Sequence, residues 1–81
     1  MSQRDELDVE GAELAAVLET WCAQNGFRVR FGAVDVTCAA AILERSPGTL
    51  RNWARAGNGP PCRRAGYLLT DLADFLLAER E

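Results

Sequence analysis

The sequence predicts a small α+β domain, mostly helical, built around two adjacent short helices. Three observations carry that prediction. Residues 35 to 57, DVTCAAAILERSPGTLRNWARAG, hold two helix starts and one helix stop within 23 positions. A longer apolar stripe at helical spacing precedes them. After them, a Gly/Pro loop leads into a short hairpin segment and one more apolar-periodic stretch.

Taken in order, residues 1 to 7 read as a frayed acidic leader. From Asp8 to Asn25, the positions Leu14, Val17, Leu18, Trp21 and Cys22 form one helical stripe, and Gly26 ends the helix. Asp8, Glu10 and Glu13 lie towards its start, where the helix dipole favours negative charge. Phe27-Arg28-Val29-Arg30-Phe31 alternates apolar and basic, which predicts a half-buried strand closed by Gly32. That strand is expected to join the later hairpin as a third strand, with Arg28 and Arg30 widening a basic surface beside it.

Asp35 is placed to cap a helix whose apolar positions are Val36, Ala39, Ala40, Ile42 and Leu43. Ser46-Pro47 restarts the chain: serine accepts from a free amide of the first turn, and proline has no N–H to leave unpaired there. Leu50, Trp53 and Ala54 form the inward stripe of the second helix, and Gly57 ends it. Gly57-Asn58-Gly59-Pro60-Pro61 is a loop, Cys62 to Leu69 a short hairpin turning at Ala65-Gly66. Thr70 or Asp71 then caps a last helix with Leu72, Phe75 and Leu76 inward. Two helices joined by three or four residues, the second short and basic outside, describe a DNA-reading helix-turn-helix.

Charge distribution agrees with that description. The net charge is −3, yet residues 43 to 64 carry five arginines against Glu44, while residues 1 to 20 carry six acids against Arg4. A local positive field can hold nucleic acid whatever the total. With Leu50 and Trp53 inward, the second helix exposes Gly48, Thr49, Arg51, Asn52 and Arg55. Arginine pairs bidentately with guanine and asparagine with adenine, so Arg51 and Asn52 are the base-reading candidates. Arg55, Arg63 and Arg64 are candidate phosphate contacts, as are the hydroxyls of Ser46 and Thr49 and the amides at the helix start. Gly48 gives the backbone close approach to the duplex.

Residues 35 to 77 resemble the excisionase and AlpA-type branch of the MerR-like winged helix-turn-helix superfamily. The resemblance rests on Ala39-Ala40 followed by Ile42-Leu43, on SPGTLRNW at 46 to 53, on GNGPP at 57 to 61, and on DLADFL at 71 to 76. It implies a winged helix-turn-helix over 34 to 81, preceded by an acidic helix and strand extension over 1 to 33, in one compact domain. It further implies a protein of a phage or mobile element that binds duplex DNA, with self-association or cooperative binding on repeated sites, acting in excision or transcriptional regulation. Glu44 stands where this family commonly has glycine and Arg45 where it has a small apolar residue, which suggests a different turn. The hairpin is short for a wing.

Other classes are disfavoured. Eighty-one residues make one domain with a modest core. No apolar run approaches the ~20 residues of a membrane span, and no signal peptide is visible, so a cytoplasmic protein is expected. Cys22, Cys38 and Cys62, with no histidine, match neither a disulfide framework nor a zinc site and read as packing or surface thiols. No catalytic grouping, metal site or cofactor motif can be named, so no enzyme is expected. The competing expectation is a winged-helix adaptor whose acidic first helix recruits a recombinase, packaging enzyme or other protein.

Overall fold

A computed structural model describes residues 3–79, with side chains from residue 11 onward. The chain folds into α1 (Gln3–Gln24), β1 (Ala33–Val34), α2 (Val36–Leu43), α3 (Pro47–Ala56), β2 (Tyr67–Leu68) and α4 (Leu69–Glu79). It is a mostly helical α+β domain, and no helix among the described residues is long and apolar enough to cross a membrane.

The first helix starts earlier than expected, at Gln3, so most of the supposed leader is helical. Asp8, Glu10 and Glu13 therefore lie beyond the first turn, where the dipole effect has faded. Gly11, Ala15 and Cys22 are buried, with Leu14, Leu18 and Trp21 half-buried against the core, whereas Val17 is 61% exposed. Sequence periodicity placed Val17 inward because alanine and glycine carry little hydropathy. The face that packs is the small one, since it lets α1 come close to α4, its main neighbour. A Cβ at Gly11 would stand 2.9 Å from Asp74 Oδ1.

Residues 27–31 form no strand. Phe27 stacks on Trp21, 5.6 Å between ring centroids, and Val29 is half-buried, as the alternation suggested, but Phe31, expected on the same face, is exposed. No neighbouring backbone is available for a ladder there. Arg30 and Ala33 instead exchange backbone hydrogen bonds of 3.0 and 2.9 Å, reversing the chain at Phe31-Gly32. The strand falls just after, where Ala33 pairs with Leu68 and Val34 with Tyr67 in an antiparallel two-stranded sheet.

The caps of the two central helices form as the residues dictate. Asp35 Oδ1 accepts from the Cys38 amide at 2.8 Å, starting α2. Glu44 closes it with φ 58° and ψ 43°, its N–H reaching Ala40 and Ala41 carbonyls. Glutamate thus adopts the left-handed conformation that glycine takes more easily, and the turn carries the strain. Cys38, absent from the expected apolar set of α2, is buried, and its Sγ lies 3.4 Å from Cys22 Sγ, joining α2 to α1 through two free thiols. α4 begins at Leu69 directly after β2, so Thr70 and Asp71 lie inside its first turn. The Leu69 amide donates to Gly32 O at 2.8 Å, which fixes the start without a side-chain cap.

Two outcomes follow for stability. Glu44→Gly relaxes the left-handed glutamate (~1–2 kcal/mol of strain) against added unfolded-chain entropy, for a net gain of up to about 1 kcal/mol, read as a higher urea midpoint at unchanged m-value. Burial, with hydrogen bonding and charge from Cys22 and the charge of Asp35 adding to it, pushes the Cys38 thiol from 9.0 up to about 12. The folded chain therefore keeps a proton that the unfolded chain releases. The stability this confers is complete below pH 9.0 and is lost as pH rises towards 12. Denaturation series across that window detect it as a slope that Cys38→Ala flattens, by at most ~1.4 kcal/mol per pH unit.

Candidate nucleic-acid interface

α3 is held to the domain along a narrow strip. Leu50 is 1% exposed and is the one fully buried residue of the helix, while Trp53 is half-buried and lies tilted against Phe75 of α4, 5.8 Å between centroids. Ala54, expected inward, is exposed. At 100° per residue, Gly48, Arg51, Asn52 and Arg55 fall on the face opposite Leu50. All four are exposed. The helix thus presents two guanidinium groups and one carboxamide together on a free surface, backed by a single leucine anchor.

The N-terminal end of α3 is organised by its cap. Ser46 Oγ accepts from the Thr49 amide at 3.1 Å and lies 2.9 Å from Thr49 Oγ1. Pro47 has no N–H, and the Leu50 amide reaches Ser46 O. Thr49 is half-buried and both hydroxyls are already engaged with each other, so they face outward less freely than the sequence suggested; the exposed Gly48 amide is the freer donor. At the other end Gly57 turns left-handed, and the Asn58 amide bonds Trp53 O at 2.7 Å. The loop then folds beneath the indole: Pro60 is buried, and a Cβ on Gly59 would stand 2.6 Å from Trp53 Cε3.

Arg45, at the turn before α3, spans two elements. Its guanidinium sits 5.8 Å from the Trp53 ring centroid, and Nη2 lies 3.9 Å from Glu79 on α4. Sequence reasoning gave it no role; the signal that finds it is spatial, since Glu79 is 34 positions away.

The segment after the loop reverses at Arg64-Ala65, with Arg63 and Gly66 exchanging backbone hydrogen bonds of 2.8 and 3.0 Å. This is one residue earlier than Ala65-Gly66. Arg64 stands exposed at the tip. Arg63 is committed elsewhere: Nε donates to Asp71 Oδ2 at 3.0 Å and Nη2 approaches Oδ1 at 3.5 Å, tying the hairpin to the first turn of α4. Tyr67 links this hairpin to α3. Burial pushes its hydroxyl above the ordinary tyrosine range, Cys62 beside it adds to the shift, and the Arg51 charge is near enough to pull it back.

Arg28 and Arg30 are exposed but lie elsewhere. Counting along the register, the turn at Phe31-Gly32 closes one end of the short ladder and the turn at Arg64-Ala65 lies beyond the other. The third strand expected to carry residues 28 and 30 alongside the hairpin is therefore not formed. The structure brings together Gly48, Arg51, Asn52 and Arg55, with Ser46 and Thr49 at their edge.

No protein-family model, curated protein or solved structure matches this chain.

Removing the cap hydroxyl in Ser46→Ala costs about 1 kcal/mol of stability, read by thermal unfolding, whereas Ser46→Gly costs only a few tenths, roughly. Gly59→Ala meets both the Trp53 ring and a left-handed backbone, φ 73°. It costs on the order of 2 kcal/mol and alters indole fluorescence.

Proposed function

We propose that this chain is a small sequence-specific double-stranded DNA-binding protein of the winged helix-turn-helix type, acting in a phage or mobile element as an excisionase or transcriptional regulator. The observation that carries the reading is the free face of α3, where Gly48, Arg51, Asn52 and Arg55 stand together while Leu50 holds the helix from behind. An exposed helix of this width enters a major groove, and its arginine and asparagine have the donor geometry to read guanine and adenine edges. Arg55, one turn beyond Arg51, and Arg64 at the hairpin tip supply phosphate contacts. All nine cationic side chains of the chain are arginines, the residue suited to bidentate contact with phosphate and base. The resemblance of residues 35 to 77 to excisionase and AlpA-type proteins gives the biological setting.

The arrangement also sets the expected strength. Arg51, Arg55 and Arg64 are free to meet DNA, and Arg45 and Arg63 join only by leaving Glu79 and Asp71. Two phosphate contacts, from Arg55 and Arg64, or four once Arg45 and Arg63 are released, give a slope of log K against log salt of roughly −2 to −4. Binding by one copy is then weak, and repeated or paired sites strengthen it.

Duplexes selected from a random pool, measured by fluorescence anisotropy across salt, test the reading. Arg51→Ala with Arg55→Ala loses binding while circular dichroism and melting stay unchanged, and Arg51→Ala alone relaxes preference at one base pair, costing about 1–3 kcal/mol. Undiminished binding by the double variant would remove α3 from recognition.

A further inference from the structure

The most exposed large apolar side chain described is Phe31, 98% accessible, at a position whose backbone disfavours it. Phe31 and Gly32 are the two central residues of the turn closed by Arg30 and Ala33, and both have positive φ, 53° and 74°. Two-residue turns of this handedness favour asparagine, aspartate or glycine at the first place. A bulky aromatic there is strained, and within the chain it gains no burial in return. Beside it runs a groove of about 430 Å³ lined by Ala12, Ala15, Ala16, Gly32, Leu68 and Leu69, with the exposed Glu19 also on its wall. Small side chains leave the room, and Phe31 stands on the edge of the same groove.

We propose that this face is a self-association surface, in which Phe31 of one copy seats in the alanine-lined groove of a second copy and the contact is repeated by two-fold symmetry. A knob and its hole on one face are what an isologous contact requires, because the same patch must serve as both partners. Charge agrees with this occupant. Arg30 flanks the inserting ring, and Glu19 lines the receiving groove, so the symmetric contact sets opposite charges against each other twice. The turn lies at the end of the ladder away from Arg64, so pairing leaves the hairpin tip uncovered. The inference stands apart from the DNA reading, since it uses no side chain of α3 or of the hairpin tip.

Sedimentation velocity of the full chain over a concentration series, under reducing conditions that keep the exposed Cys62 from cross-linking copies, provides the test. The chain dimerises reversibly. Phe31→Asn, which suits the turn, raises the dissociation constant by roughly thirtyfold or more without lowering the melting temperature. Glu19→Arg and Arg30→Glu each weaken the dimer, and the two together restore it. The Arg51→Ala, Arg55→Ala variant dimerises like the parent chain even if it loses DNA, which separates this proposal from the functional one. A chain that stays monomeric throughout, a Phe31→Asn dimer of parental strength, or a double charge reversal without recovery would each overturn it.

Discussion

Leu50 is the point on which the arrangement turns. One leucine, 1% exposed, seats α3 on the rest of the domain, with Trp53 braced on Phe75 beside it. Full burial of such a side chain is worth about 1.5–3 kcal/mol. That is enough to hold a short helix whose two ends are already closed by Ser46 and Gly57. Because so little of the helix circumference is used for attachment, the opposite face is left for Gly48, Arg51, Asn52 and Arg55. A wider apolar stripe would have anchored α3 more firmly and hidden part of that face.

Where local chemistry decides, the sequence was readable. Asp35 and Ser46 accept from amides three residues on, Pro47 brings no amide to leave unpaired, and Gly57 turns its own N–H onto carbonyls of the last helical turn, so each does what its type dictates. Long-range pairing was less readable. Alternation in Phe27–Phe31 held for Phe27 and Val29 but failed at Phe31, which is exposed; a strand also needs a neighbour, and that neighbour, Tyr67–Leu68, pairs with Ala33–Val34 instead. Val17 misled for a related reason: helical phase was judged by hydropathy, whereas the closest packing is made by Gly11 and Ala15. Of the candidate site, the α3 residues were legible from periodicity. The commitments of Arg45 and Arg63 were not, since their carboxylate partners sit on α4.

Charge is segregated by the same fold. Arginines of residues 43 to 64 gather on α3 and the hairpin, while exposed Glu13 and Glu19 ride on α1. Asp71 and Glu79 on α4 restrain two of the arginines at the border between these regions. The net charge of −3 therefore describes no part of the surface well.

The close seating of α1 on α4 bears on how the chain acquires its shape. The two helices meet across a seam where Gly11 approaches Asp74, although some forty-five positions of chain intervene between Gln24 and Leu69. During synthesis, α1 emerges before α4, its main packing partner. Local turns such as Ser46 with Thr49 can form in the meantime, but cooperative collapse waits for the far helix, which makes this small protein slower to fold than its helical content alone would imply.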